Sequence, residues 1–535
     1  MKRILVLLIA LAMLLGATAG FAQEYTVTGE EITLPIVDQP LTLSMFHVLN
    51  AKMAKTMTDY NEIQLFQEVE KRTGIHIEFR HPAIGSEQET INLMVAAGDY
   101  PDMVNHGWAN PVGGITHLIN EGLITDLSED IAKWAPNIQR QYVRNPTIRV
   151  NTSTDDGKIL FFPMIYDEMY QHAQYGFFLR SDWLEKVGLP APITIDDYYT
   201  VLTAFKTQDP NGNGVADEIP FASVGYGYID YFLSAWQLTT STTAFSNNDG
   251  VARYAPLQPE YKEFITLMAK WYAEGLFDPE YLAKSQQDVD NMMANSISGM
   301  TVERNSKTAA LRRIFLNTGM EEANLMGTKY PVLEVGQEQA CFQSLALING
   351  GGVVIPDTNR HRMETVKWLD YFYSDEGYEL ANWGPEGNEM YTVDESGQKH
   401  LTAYALNNPD GLSMDEAIAR ISLGSVDSWR RYDPELYQQR MLTFPEQLVT
   451  NTLWDTDTNF SLRFPMVAYT PEETEEMVVI QSECNSYTSE MVNKFIMGNA
   501  PLSEYDNYVS TLKTLGAERL QEIAQAALDR YFNRK

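Results

Sequence analysis

The chain has almost no cysteine. Cys341 and Cys484 are its only two in 535 residues. A disulfide scaffold is therefore excluded, and no Cys/His spacing suits a metal. In an oxidising compartment the two thiols have the option of pairing, but two thiols in so long a chain are more often separate and buried. Positive charge is also scarce: 39 Lys and Arg stand against 72 Asp and Glu, for a net charge of −33. Such a chain is repelled by phosphate backbones and anionic lipid, which removes nucleic acid and membrane surfaces as partners. After the first 15 residues no apolar run is long enough to span a bilayer. Internal repeats, low-complexity tracts and Pro/Ser-rich linkers are missing too, which argues for lobes joined by several short crossings. There is no Gly-x-Ser-x-Gly elbow, His-Glu-x-x-His or Cys/His nucleophile pattern, so no catalytic residue is assigned.

What is present begins at the N-terminus. Lys2 and Arg3 precede an unbroken apolar run, Ile4 to Leu15, and small residues follow as far as Ala22, before Gln23-Glu24. This is the pattern of a secretory signal peptide cleaved after Ala22 or Ala19. The run is short of the roughly 20 residues a membrane span needs. Residues 1–22 are expected to be removed, leaving an exported chain, periplasmic or extracellular. No Cys follows the run, so a lipid anchor on a mature N-terminal Cys is not expected. The chain is 44% hydrophobic and 11% aromatic, far from a disordered acidic composition. Its length predicts two or more domains.

Local patterns predict the elements. Leu41 to Phe46 alternates as a strand. Asn61 to Thr73 has helical spacing with Gly74 as its stop. Ile75, Ile77 and Phe79 alternate, Glu87 to Ala97 is a helix ending at Gly98, and Asp102-Met103-Val104 is a short buried strand. Strand–helix–strand–helix–strand implies a parallel sheet, hence an α/β lobe. Farther on, Pro259 to Ala273 places Tyr261, Phe264, Ile265, Met268, Trp271 and Tyr272 on one helical face. Met363 to Ala381 and Glu504 to Phe532 are mostly helix. Gly350-Gly351-Gly352 lacks the Lys-Ser/Thr of a phosphate loop and reads as a place where backbones approach closely.

Several of these segments, in order, carry a resemblance. Leu93-Met94-Val95-Ala96-Ala97-Gly98-Asp99-Tyr100-Pro101-Asp102-Met103-Val104 is similar to a helix–turn–strand of the solute-binding proteins of oligosaccharide ABC importers, the group of maltose- and alginate-binding proteins. Gly122-Leu123-Ile124-Thr125-Asp126-Leu127 and Phe177-Phe178-Leu179-Arg180-Ser181-Asp182-Trp183-Leu184-Glu185-Lys186-Val187-Gly188-Leu189 resemble later family segments, as do Trp383-Gly384-Pro385-Glu386-Gly387 and the C-terminal Phe495 to Val509. The resemblance covers nearly the whole chain after residue 22. It implies a two-lobed α/β periplasmic-binding-protein clamp, crossed near 170, 305 and 375. The N-terminal lobe would hold 23–172 and 305–375, the C-terminal lobe 173–304 and 376–535. It also implies a monomer that captures a carbohydrate between the lobes and delivers it to a membrane permease.

Asp209-Pro210-Asn211-Gly212-Asn213-Gly214-Val215-Ala216-Asp217-Glu218 carries the sharpest chemistry. Oxygen side chains stand at positions 1, 3, 5 and 9, a Gly at 6, and the Val215 carbonyl at 7, as in an EF-hand loop. Position 12 is Pro220, so the usual bidentate Glu is missing, and Glu218 is the replacement carboxylate. Alginate-binding relatives have a similar loop holding calcium. Asp209, Asn211, Asn213, Val215, Asp217 and Glu218 are the expected ligands of one structural Ca²⁺; the plainer alternative is an Asx-rich turn.

A sugar site needs aromatic platforms and a few placed polar groups. In open α/β sheets it lies beyond the carboxyl ends of strands. His106 and Trp108 follow the strand at 102–104. Tyr226, Tyr228 and Trp236 follow the strand after the calcium loop. Arg304 lies near the expected second crossing, with Trp383 and Glu386 beyond the third, and Trp429 and Trp454 in late segments. Arg304, Arg430 and Arg431 would suit an acidic sugar if they faced inward. A secreted glycoside hydrolase stays open as an alternative, since two carboxylates on a cleft suffice for that chemistry; so does a clamp for a peptide or other polar solute.

Overall fold

The computed structural model describes residues 26–51, 53–108, 114–166, 172–342, 345–426, 428–456 and 458–534. The expected signal peptide lies outside them. The chain divides into two compact units: Met1–Met169, Ala346–Arg440 and Arg530–Lys535 form one, Tyr170–Leu345 and Met441–Asp529 the other. The lobe bounds expected at 305 and 375 are thereby moved to 345 and 440, and the chain passes between units four times, not about three. Sheet pairing and helix packing are the reason. Helix Asn305–Asn317 continues directly from strand Ser298–Arg304. It is locked to helix Pro445–Asp455 by two reciprocal bonds, Asn305 Nδ2 to the Gln447 carbonyl at 2.8 Å and Gln447 Nε2 to the Asn305 carbonyl at 2.7 Å. Residues 376–440 stay with the first unit because Arg430–Arg431 pairs in parallel with Phe162–Ile165.

The first unit is built on a six-stranded sheet. Its order is Arg430–Arg431, Phe162–Ile165, Ile348–Val354, Met103–Gly107, Leu41–His47, Ile75–Arg80. Leu41–His47 runs parallel to both its neighbours, and Ile348–Val354 runs antiparallel to both of its own. Strand Leu41–His47 buries Leu43 and Met45 completely. Asp102 fixes the strand that follows it: its Oδ2 accepts from the Ser44 amide at 2.7 Å and the Ser44 hydroxyl at 2.8 Å.

The helix expected over 61–73 is broken in two. A short 3₁₀ turn at Tyr60–Glu62 is capped by its own box, with Asp59 accepting from the Asn61 amide at 2.7 Å and Glu62 accepting from the Asp59 amide at 3.1 Å. Ile63 then lies extended, and helix Gln64–Thr73 begins after it, ending at Gly74 with φ +77°. The helix expected over 363–381 also divides, into Arg362–Tyr371 and Asp375–Trp383. Ser374 causes the break by accepting from the Gly377 amide at 3.0 Å, a cap that starts a new helix. The C-terminal helix is Tyr505–Thr514 and Ala517–Phe532, with Gly516 at φ +100° between them.

The second unit has a four-stranded sheet ordered Leu325–Gly327, Tyr175–Arg180, Ser298–Arg304, Ile219–Phe221. Helix Pro259–Ala273 buries Tyr261, Phe264, Ile265, Met268 and Trp271, the expected face except for the half-buried Tyr272. Both cysteines are in this unit and both are buried. Among the described residues, no helix is long and apolar enough to cross a membrane.

Candidate functional site

A cavity of about 270 Å³ opens in the first unit at the carboxyl ends of its parallel strands. His47 ends Leu41–His47, and Asn105, His106 and Gly107 end Met103–Gly107. The antiparallel strand Ile348–Val354 adds Asn349, Gly351 and Gly352, and Met164 comes from the strand beyond. Val48, Asn50, Tyr60, Val426 and Ser428 complete the described lining.

The glycines here are sterically required. A Cβ on Gly351 would lie 2.3 Å from the His106 carbonyl oxygen, and one on Gly352 would lie 2.3 Å from the Phe162 carbonyl oxygen. This is the close backbone approach that the Gly-Gly-Gly run suggests. Gly107 is different: a Cβ there meets none of the described residues within 4 Å, and Gly107 lines the cavity.

The wall is stiffened from behind. The Tyr60 ring lies 4.8 Å from that of His47, and Tyr60 Oη donates to the Val48 carbonyl at 2.9 Å. The Trp429 ring meets His47 edge-on at 5.8 Å and packs on Trp368 and Phe372. Trp108 donates through Nε1 to the Gly352 carbonyl at 2.9 Å. His106 packs edge-on against Trp108 at 5.3 Å. Burial pushes the His106 imidazole below its ordinary range, with Glu87 opposing the shift. Ser428 is 4% exposed, and its hydroxyl has no hydrogen-bond partner among the described residues.

Of the ten ligand residues expected from the sequence, His106 is the one that lines this cavity. Trp108 and Trp429 buttress it from within the core. Trp383 is fully buried in a satellite core with Met390, Leu401, Ile418 and Leu436, and bonds Asp433 at 3.0 Å. Glu386 is exposed on the turn beyond it. Trp454 is fully buried in the second unit, filling the space over Gly176, with Nε1 on the Thr328 carbonyl at 2.7 Å. Placing these tryptophans on a ligand surface is therefore corrected: large rings on sequence-local loops became core. His47, Tyr60, Asn50 and Ser428 were missed. His47 was findable, since it is the next residue after the predicted strand Leu41 to Phe46.

In the second unit the strand-end residues form their own polar set. Tyr228 Oη donates to Gln286 Oε1, and Gln286 Nε2 donates to Glu303 Oε2 at 2.8 Å. Burial raises the Glu303 carboxyl above its usual range, while the Arg304 amide opposes that by donating to Oε1 at 2.7 Å. Arg304 Nη2 donates to Gln174 at 2.8 Å, and its guanidinium lies 5.8 Å over the Tyr175 ring. Tyr226 is half-buried. Trp236 instead leans on helix Pro259–Ala273 through Glu263 at 3.0 Å.

The 209–218 loop folds on its own polar groups. Asp209 accepts from the Gly212, Asn213 and Gly214 amides at 2.9, 3.1 and 2.9 Å. Gly212 and Gly214 take φ +75° and +74°. The Asn211 and Asn213 amides turn Nδ2 toward Asp217 at 3.2 and 3.1 Å. Glu218 is 8% exposed, and among the described residues its Oε1 meets no hydrogen-bond donor in good geometry. Burial, then Asp209 and Asp217, raise its pKa. Among the described residues no group of three or more His, Cys, Asp or Glu has the arrangement of a metal site. Any metal here would therefore be held by mixed carboxylate, amide and carbonyl oxygens.

The sequence model for bacterial extracellular solute-binding proteins matches residues 54–379. The chain belongs to that family. The fructooligosaccharide ABC transporter substrate-binding protein FusA of Streptococcus pneumoniae is 26% identical over 94% of this chain and 92% of its own length. An HMO-binding, ABC-transporter-associated solute-binding protein from Bifidobacterium longum infantis superposes with a TM-score of 0.75 over 93% of this chain and 100% of that one, at 19% identity. The alginate-binding protein AlgQ2, in a crystal structure without calcium ion, gives 0.66 over 92% and 99%, at 23% identity. These neighbours fix the fold of this solute-binding protein as two α/β lobes, and the two units are those lobes.

Proposed function

We propose that this chain is the exported substrate-binding component of an ABC importer, capturing an oligosaccharide and handing it to membrane permease subunits. The observation that carries the proposal is the cavity at the strand ends of the first lobe, where imidazole, amide, hydroxyl and bare backbone groups converge beside aromatic rings. That is hydrogen-bonding chemistry for a polyol. The relationship to FusA across nearly the whole chain supports the same reading. Binding is expected to draw the lobes together. A ligand shifts such an equilibrium only by its preference for one state, and moving it from 1:99 to 99:1 takes about 5.5 kcal/mol. The test is calorimetric titration with a panel of oligosaccharides, together with small-angle scattering. Tight binding of a glycan with contraction, and with the glycan recovered uncleaved, is the expected result. Cleavage would assign a hydrolase instead.

The 209–218 loop is proposed to hold one structural Ca²⁺. Asp209, Asn211, Asn213, Asp217, Glu218 and the Val215 carbonyl would supply oxygens. The buried Glu218 carboxyl, raised in pKa by burial and by the nearby charges of Asp209 and Asp217, supports that fit, because a cation would relieve that repulsion. The ion would pin the loop between helix Ile195–Thr207 and strand Ile219–Phe221 and would take no part in solute chemistry.

A further inference from the structure

We infer that the solute is electrically neutral: an uncharged glycan and not a uronic or sulfated one. The inference rests on the oligosaccharide reading above and narrows it. Among the described residues lining the cavity, none is Asp, Glu, Lys or Arg. The polar groups offered are the amides of Asn50, Asn105 and Asn349, the Ser428 hydroxyl, and the His47 and His106 rings. Each is suited to exchanging neutral hydrogen bonds with sugar hydroxyls.

A carboxylate or sulfate entering such a pocket must shed hydration, and it needs a cation in return. Among the described residues, the arginines nearest in sequence do not provide one. Arg430 is fully buried, donating to the Val426 carbonyl at 2.7 Å and to Asn382 at 3.2 Å, with its guanidinium over Tyr432. Arg431 lies over the Tyr378 ring, 3.9 Å from Asp375. In the other lobe, Arg304 bonds Gln174 and has Glu303 as its immediate neighbour. A net charge of −33 then adds long-range repulsion of any anion. A polyol meets none of these penalties, and the unpartnered Ser428 hydroxyl gains a partner when it binds.

The test uses the full mature chain with calcium present, titrated with two matched sets. One is oligogalacturonides; the other is the same oligomers after reduction of each carboxyl to a primary alcohol, extended by neutral fructo-, gluco- and galacto-oligosaccharides. The expected result is binding confined to neutral members, with affinity unchanged between low and high salt, and charged counterparts weaker by at least about tenfold. Uronates binding equally or more tightly would overturn neutrality while leaving the saccharide reading intact. Binding of neither set would overturn both.

Discussion

Adding one methyl group to Gly351 should damage the cavity wall, whereas adding one to Gly107 directly opposite should only fill the cavity. The two residues face each other across an antiparallel pair. At Gly351 the new Cβ would sit 2.3 Å from the His106 oxygen and 2.7 Å from the Gly107 Cα, where ordinary contact begins at 3.4 Å. The strands must therefore part by roughly 1 Å against a spacing of about 4.8 Å, which disrupts the ladder bonds at that point. Two lost or stretched bonds at about 1 kcal/mol each, plus overpacking, give a cost of about 1–3 kcal/mol. The shift also moves Asn105 and His106, so affinity for solute should fall with stability. The Gly107→Ala methyl meets none of the described residues within 4 Å, so its stability should change by less than about 0.5 kcal/mol. Yet its methyl enters the cavity, so affinity should fall alone. Urea denaturation and calorimetry on both variants measure the four quantities. A Gly351→Ala protein with wild-type denaturation midpoint and affinity would refute the reasoning, and so would a Gly107→Ala protein that loses stability as Gly351→Ala does.

Three further outcomes are expected. Asp230 is buried and accepts from the Thr242 amide and hydroxyl, and burial pushes its carboxyl up to about 7. Its folded pKa is above its unfolded one, so its contribution is present below about pH 4 and is lost as pH rises to about 7. Asp230→Asn, which keeps one acceptor and offers a donor to the Thr242 hydroxyl, should flatten the fall in stability over that window; an unchanged slope in urea melts across that range would count against it. Calcium should raise the Tm of metal-free protein, and Glu218→Gln should largely abolish that rise while leaving solute affinity within about twofold; an undiminished shift would remove Glu218 from the ligand set. Trp454→Ala should cost about 3–5 kcal/mol through the void left over Gly176 and Phe178, as read by chemical denaturation. A cost under about 1 kcal/mol would mean the ring is not core.

Much of the fold was legible because its signals are local. The alternation of Leu41 to Phe46, the Gly74 stop and the helix face of Pro259 to Ala273 need only neighbours a few positions away. The breaks at Ile63 and Ser374 were also written locally, as capping boxes and caps inside apparently continuous helical runs, and were overlooked in favour of periodicity. The ligand wall was much less legible. Indole rings advertise themselves equally well as platforms and as core, and only packing separates Trp429 behind His47 from a ring facing solute.

The sequence by itself determined the family, the α/β alternation, the acidic surface charge, and a loop whose oxygen spacing suits calcium. Each depends on residue identity at short range or on summed composition. Tertiary structure alone decided which residues meet. It sent residues 305–345 to one lobe and 376–440 to the other through sheet pairing and helix packing. It also turned Arg430 and Arg431 away from the cavity and buried the tryptophans, because close packing across hundreds of positions has no local sequence signature.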